Sequence, residues 1–227
     1  MWPPPYLSAA QLDAFAAYTR LLVQEGSRLN LTSLREPEAI ERRHFGESLS
    51  LLQALESFGA FASPAIDIGT GAGFPGLPIK IVRPDLKLTL LEATGKKCRF
   101  LEMVVEALGL TGVTVINGRA EELAHDPEHR GAYPLALARA VAPLRVLVEL
   151  ALPFLRPDGY LAAPKGSAAL REVREAATAL RLCGGEVAAV QPLDVPEPTP
   201  VLVLVRKSAE TPDAYPRRPG IPSKRPL

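Results

Sequence analysis

Asp67, Glu92 and Arg139 are the residues of this chain whose types and positions could do chemistry together, and each sits at or near the end of a short apolar run. Asp67 stands in Ile66-Asp67-Ile68-Gly69-Thr70-Gly71-Ala72-Gly73-Phe74-Pro75-Gly76. A turn so rich in glycine lets a ligand come closer to the backbone than any Cβ would allow. Gly71 to Gly76 satisfies the dinucleotide pattern G-x-G-x-x-G, and Glu92 lies about where a ribose-binding acid belongs. A carboxylate at Asp67, however, suits a cofactor bearing an ammonium and a sulfonium, and would repel a pyrophosphate resting on a helix N-terminus. S-adenosylmethionine carries those cations, whereas NAD carries phosphates. The competing reading of Asp67 is a carboxylate that caps the turn through backbone N–H groups.

Glu92 ends Leu88-Thr89-Leu90-Leu91-Glu92, where its carboxylate could accept both hydrogen bonds of a ribose diol or be a solvated loop charge. Gly118-Arg119-Ala120-Glu121 follows the next apolar run, and its order places Ala120 as an apolar wall and Glu121 as a polar edge contact for an adenine. Arg139 follows the fourth run, above the place where cofactor and substrate meet. It must pair with something if buried: Asp67 or Glu121 in a structural role, the cofactor or substrate in a functional one. The stretch Ala138-Arg139-Ala140-Val141-Ala142-Pro143 lacks the Asn or Asp, two prolines and aromatic used by enzymes that methylate exocyclic amines. Cys98 falls inside a predicted helix and Cys183 far along the chain, so a covalent mechanism has no evident nucleophile. What remains for methyl transfer is an acceptor that is already nucleophilic, such as a purine ring nitrogen, for which positioning does most of the work.

The elements that must position these residues are legible from periodicity. Ser8 to about Glu25 has helical spacing, with Ser8 and Gln11 as a capping box and Gly26 as its end. A turn through Asn30-Leu31-Thr32-Ser33 leads to a second helix starting near Pro37 and carrying Arg42, Arg43, His44 and Glu47. From there the pattern predicts strands at 65–68, 86–91, 113–116, 135–138, 160–163, 187–190 and 201–205, with crossover helices at 96–108, 144–155 and 168–182. Strand and helix in alternation predict a mostly parallel sheet covered on both faces. The last two strands, joined by a short Pro-rich loop, should be antiparallel. The expected fold class is therefore α/β, a Rossmann-like class I methyltransferase with a seven-stranded mostly parallel sheet, plus an N-terminal helical extension. The expected organisation is residues 1–62 as that extension, 63–207 as the cofactor-binding domain, and 208–227 as a basic, Pro-rich tail without regular structure.

With 227 residues and 47% hydrophobic content the chain can bury one substantial core. A formal net charge of +1 means that any attraction for nucleic acid must come from local clusters. Those clusters are Arg42, Arg43 and His44; Lys96, Lys97 and Arg99; Lys165; and Arg217, Arg218, Lys224 and Arg225. Each alone is more often a solvated surface, and three of them would gather at the same carboxyl edge or its amino-terminal cover. Two cysteines and three histidines offer no metal site. Neither a long apolar span nor a secretory leader is visible, so the chain is read as a cytoplasmic monomer with no membrane partner.

Beyond these readings, the sequence resembles the glucose-inhibited division protein B family, the RsmG methyltransferases, which methylate N7 of a guanine in the decoding-region loop of small-subunit (16S) ribosomal RNA. The likeness rests on Asn30-Leu31-Thr32-Ser33, Arg43-His44-Phe45 with Ser48, the glycine-rich segment, Ile81-Val82-Arg83-Pro84, Lys96-Lys97 with Arg99-Phe100-Leu101, Arg139-Ala140, Lys165-Gly166 and Tyr215-Pro216-Arg217-Arg218. It runs from about Asn30 to Leu227. It implies S-adenosylmethionine held by Gly69, Gly71, Phe74, the Glu92-Ala93-Thr94 segment, Ala120-Glu121 and Arg139, to which the reading of the turn above adds Asp67. It further implies RNA contacts by Arg42, Arg43, Lys96, Lys97, Lys165, Arg217 and Arg218, with ribosomal RNA or a ribosomal particle as partner and Arg139 and His44 orienting the guanine. The chain departs from the resemblance at Glu47, where members often carry Asp. A small-molecule methyltransferase and an NAD-dependent oxidoreductase are the alternatives.

Overall fold

The strand Ala65–Ile68 (β1) is buried at every position and becomes the centre of the molecule. In the computed structural model, which describes every residue except 1, 30, 33, 35 and 197, β1 pairs in parallel with Leu88–Glu92 (β2) on one side and Tyr133–Leu137 (β4) on the other. Val113–Asn117 (β3), Leu155–Lys165 (β5), Gly185–Pro192 (β6) and Val201–Lys207 (β7) complete a seven-stranded sheet of order β3-β2-β1-β4-β5-β7-β6. As predicted, the final hairpin is antiparallel, and β7 also runs against β5. Every other connection within β1 to β5 returns through a helical crossover, so those strands are parallel.

Because side chains alternate across a strand, the sheet feeds two cores. Leu88, Leu90, Leu135, Leu137, Leu202 and Leu204 face one layer, together with Phe15, Tyr18, Phe45 and Leu49 from the amino-terminal helices. Ile66, Leu91, Ala136, Leu161, Val203 and Val205 face the other, with Leu147 and Leu180. The helices of the first layer are Ala9–Leu29 (α1), Pro37–Ile40 (α2), Gly46–Ser57 (α3), Gly76–Val82 (α4) and Gly95–Ala107 (α5). Those that follow β3 are Ala120–Leu123 (α6), Leu144–Ala151 (α7), Ala169–Glu175 (α8), Ala177–Cys183 (α9) and Ile221–Lys224 (α10). The amino-terminal helices thus share the sheet's own core, and no described helix is long and apolar enough to cross a membrane.

Ser8 and Gln11 make the expected reciprocal bonds, Gln11 Oε1 accepting from Ser8 N at 2.9 Å and Ser8 Oγ from Gln11 N at 3.3 Å. Five local expectations are corrected. Helix α1 continues through Gly26 to Leu29, because Gly26 is buried and not left-handed: it is a packing glycine, not a cap. The second helix begins at Pro37 as predicted but opens into a π-helical stretch over Glu41–Phe45 before continuing as α3. The helix expected over 168–182 is two helices broken at Ala176, and the one over 144–155 ends at Ala151, followed by a 3-10 turn over Leu152–Phe154 that carries Pro153. The tail is not wholly irregular, since Pro222 sits in the first turn of the short α10. Of the predicted turn before Pro37, Asn30 and Ser33 lie outside the described residues.

Candidate active site

Register alone gathers the candidate residues. Ile68 pairs with Leu91, Asp67 with Leu137 and Glu92 with Asn117, so the segments starting at Gly69, Glu92, Gly118 and Ala138 leave neighbouring strands at the same carboxyl edge. Asp67 is fully buried beneath the first of these. Its Oδ2 accepts from Thr70 Oγ1 at 2.7 Å and Gly76 N at 2.8 Å, which is the turn-capping role. A Cβ on residue 76 would stand 2.7 Å from that oxygen, so only glycine leaves room for the bond. Asp67 Oδ1 is equally buried and has no hydrogen-bond partner among the described residues. Burial pushes the carboxyl up to about 7, against the pull of the Thr70 and Gly76 bonds. Gly71 is left-handed, at φ 63°, and a Cβ there would meet nothing closer than Gly69 O at 4.0 Å, so the backbone faces open space. Glu92 closes the other side of that space: Oε2 accepts from Gly71 N at 3.0 Å and Oε1 from Thr94 N at 2.8 Å. It is buried, which removes the reading of a solvated loop charge. Ala93 is exposed beside it. Ala120 and Glu121 are buried at the start of α6, and Glu121 Oε1 accepts from Gly220 N at 3.0 Å.

Arg139 pairs with neither Asp67 nor Glu121. Its guanidinium lies 4.9 Å over the Phe74 ring and donates to Glu47 Oε2 at 3.2 Å and to His44 Nδ1 at 2.9 Å. Since arginine only donates, Nδ1 holds a lone pair and Nε2 carries the proton, which it gives to Thr32 Oγ1 at 2.7 Å. The His44 ring also stacks on Phe74, with centroids 4.4 Å apart. Burial, then the charges of Arg139 and Arg43, lower its pKa to about 3. Both nitrogens of His44 are therefore engaged, one by Thr32 and the other by Arg139. Glu47 Oε1 receives Arg43 at 3.0 Å, so one carboxylate holds two arginines. The π-helical stretch is what brings Arg43 and His44 to this face. Ala140, the residue after Arg139, is left-handed at φ 57°, an uncommon state for a residue with a Cβ and one that marks the rim of the site.

Beside this cluster opens a cleft of about 1120 Å³ lined by Arg42, Arg43, His44, Glu47, Arg139 and Lys165 among others. Two of the basic groups thus converge, and a third, Lys96 and Lys97, begins α5 at the end of β2. They are not equally available. Lys165 is spent on Ala142 O at 2.6 Å and Glu172 at 3.0 Å. Arg217 grips the fully buried Glu149 at 2.8 and 2.7 Å, in the helical layer behind the sheet. Arg42, Lys96 and Arg218 are exposed. Sequence reasoning missed Glu149, Glu172 and Tyr18, whose hydroxyl donates to Ala72 O under the glycine turn. A lone acid or tyrosine within an otherwise apolar helix stretch was the only signal for Glu149 and Tyr18, and Glu172, in a helix that also carries Arg171, Arg174 and Glu175, gave none.

Comparison with known proteins meets this geometry from outside. The model of the family described as rRNA small subunit methyltransferase G matches residues 11–198. Ribosomal RNA small subunit methyltransferase G of Roseiflexus castenholzii is 46% identical over 222 residues, covering 97% of this chain and 94% of that protein. The protein of the same name from Chloroflexus aggregans is 46% identical over 229 residues, covering 100% of this chain and 94% of its own. The chain belongs to the rRNA small subunit methyltransferase G family. Its likeness to these relatives includes the amino-terminal helix, which corrects the expected start near Asn30. Among solved structures, a SAM-dependent methyltransferase from Aquifex aeolicus superposes with a TM-score of 0.55 at 21% identity, over 76% of this chain and 98% of that one, and shows the class I fold. In this methyltransferase G family member the glycine turn, Glu92 and the Arg139 cluster are thus parts of one carboxyl-edge site.

Proposed function

We propose that this family member transfers the methyl group of S-adenosylmethionine to N7 of a guanine in the decoding-region loop of 16S ribosomal RNA, as a cytoplasmic monomer acting on the RNA or a ribosomal particle. The observation that carries the reading is the open, left-handed Gly71 backbone held by Glu92 at the carboxyl edge, with the buried Asp67 capping the same glycine turn from beneath. A carboxyl beneath that turn, with one oxygen unpaired among the described residues, fits a cationic amino acid and opposes the pyrophosphate that NAD would bring. Bound there, S-adenosylmethionine supplies an electrophilic methyl on a sulfonium. Asp67 Oδ1 takes its ammonium; Glu92, whose oxygens each retain a lone pair, takes the ribose hydroxyls; Gly69 and Gly71 give clearance; Phe74 covers the reacting end; and Ala93 and Thr94 complete the rim. Ala120 and Glu121 meet the adenine.

Guanine N7 has its own lone pair, and its methylation leaves a cationic base with no proton to remove. The cleft suits that demand. His44 is neutral with both nitrogens engaged, and Cys98 and Cys183 are buried thiols whose pKa burial raises. Arginine has five N–H donors, of which Glu47 and His44 take two, and the rest can hold the guanine carbonyl oxygen beside N7. Arg42, Lys96, Lys97 and Arg218, with Arg43 at the cleft wall, face RNA phosphates and give affinity without sequence information. Lys165 and Arg217 are left out of that set because their charges face Glu172 and Glu149. The division into residues 1–62 as substrate-side cover, 63–207 as catalytic body and 208–227 as tail belongs to the same reading. Mass mapping of 16S RNA from cells with and without the protein tests it. One N7-methylguanine should vanish with the protein, and an unchanged map would overturn the proposal.

A further inference from the structure

The tail, which its composition suggested would strap across RNA, is tied down along its length behind the sheet. Lys207 Nζ donates to Leu152 O at 2.9 Å and also to Thr211 Oγ1, and Arg130 reaches Thr211 O at 2.8 Å, Pro212 O at 3.2 Å and Tyr215 O at 3.0 Å. His125 Nε2 donates to Pro216 O at 2.8 Å, and Glu149 receives both the backbone N and the guanidinium of Arg217. Three residues later the chain turns through Gly220, left-handed at φ 80°, and its N–H meets Glu121 Oε1. Glu121 stands in the first turn of α6, just past β3, whose last residue Asn117 pairs with Glu92 of β2. Its other oxygen receives no hydrogen bond among the described residues and is not sealed from solvent. A long carboxylate with one oxygen fixed can aim only the other.

We propose that Gly220 is a positioning residue of the cofactor site: its N–H fixes Glu121 so that the free oxygen accepts from the exocyclic amine of the adenine, which makes the tail a part of cofactor selectivity. This rests on the assignment of Glu121 to adenine. Hypoxanthine presents a carbonyl oxygen where adenine presents the amine, so a fixed carboxylate there favours the adenosyl ligand and repels the inosyl one.

The test is calorimetric binding of S-adenosylhomocysteine and S-inosylhomocysteine to the full-length protein, with thermal unfolding recorded alongside. The wild type should prefer the adenosyl compound by on the order of 100-fold. A Cβ at residue 220 meets nothing within 4 Å, so Gly220→Val acts chiefly through the cost of the left-handed backbone, while Gly220→Asn tolerates it. Gly220→Val should cut the preference about 10-fold, through weaker adenosyl binding at constant inosyl affinity, and Gly220→Asn should restore it. A chain ending at Pro219, which lacks the N–H altogether, should behave like Gly220→Val. In Glu121→Gln the amide oxygen keeps the Gly220 bond and turns its NH₂ to the ring, so preference should swing toward the inosyl compound. If Glu121→Gln leaves the preference untouched, the adenine assignment fails and the proposal with it. If Glu121→Gln shifts it but neither Gly220→Val nor the shortened chain does, the adenine assignment stands and the role of Gly220 is overturned. Equal loss of both ligands in the Gly220 variants would make the contact purely structural and also overturn it.

Discussion

Asp67 combines two duties that pull its proton in opposite directions. As a turn cap it accepts two hydrogen bonds on Oδ2, which favour the anion; as a buried group with Oδ1 unpaired it is driven toward the neutral acid, and burial wins, at about 7. Because the folded value lies above the ordinary 3.8, the linked stability is fully present below that pH and is lost as pH rises through about 7. An ammonium placed on Oδ1 reverses the preference, since it favours the anion. Binding of S-adenosylhomocysteine should therefore expel a proton below neutrality, and its affinity should climb from pH 5.5 to about 7 and level off above. Calorimetry in buffers of differing ionisation enthalpy counts that proton directly. Asp67→Asn, which cannot titrate, should give weaker binding with a flat pH profile; a wild-type profile already flat would remove Asp67 from the ammonium. His44 contributes the opposite slope to stability. Its folded pKa is depressed, to about 3, so its share is present above the ordinary 6.5 and fades as pH falls through 3.

Between elements, the join that matters is the one from the amino-terminal helices to the sheet edge, and it runs through Glu47. Its carboxylate lies on α3, pairs Arg43 on the π-helical stretch, and reaches Arg139 beyond β4; the Glu47 and Arg139 side chains are 12% and 14% exposed. Removing that carboxylate leaves the nearly buried Arg139 without its counter-ion and the part-exposed Arg43 unpaired beside it. Glu47→Gln should lower the unfolding free energy by about 2–3 kcal/mol, somewhat below the loss for a wholly buried pair. Methylation should fall at least tenfold in kcat as Arg139 loses its set, with cofactor affinity less affected; urea melts and single-turnover assays separate the two. Glu47→Asp keeps the charge and should retain part of both. How far this join was readable from sequence follows from what encodes it. Strands β1 and β3 and the β6–β7 hairpin were legible within a residue or two because strands of a covered sheet write themselves into short apolar runs bounded by turn residues. The glycine turn was legible because close approach demands glycine. The π-helical stretch, the partner of Arg139 and the docking of the tail were not, because each depends on groups far apart in the chain: Glu47 and Arg139, Gly220 and Glu121, Arg217 and Glu149. Gly26 misled for a related reason, since burial against a neighbour and a left-handed cap look alike in one dimension.

Over the whole molecule a net charge of +1 conceals an uneven distribution, because acids absorb particular arginines and lysines and leave others bare. Glu56, Glu149, Glu172 and Glu186 hold Arg83, Arg217, Lys165 and Arg206. Arg42, Lys96, Lys97 and Arg218 have no such partner among the described residues, and four cations neutralising four phosphates would give log K against log salt a slope of about −3, at about 0.7 per phosphate of single-stranded RNA. The adjacent pair Arg217 and Arg218 turns this into a contrast within one stretch of tail. Arg217→Ala strands a fully buried Glu149 and should lower the unfolding free energy by about 3 kcal/mol, yet leave the salt slope in place, since Arg130, His125 and Gly220 still hold the tail. Arg218→Ala touches no internal contact and should leave the urea midpoint unmoved while flattening the slope by about 0.7. Filter binding of a 16S RNA fragment across a salt series, with urea melts of the same proteins, reads both numbers. Were Arg218→Ala to leave the slope alone, the tail would lie off the RNA path and its basic composition would serve only the fold.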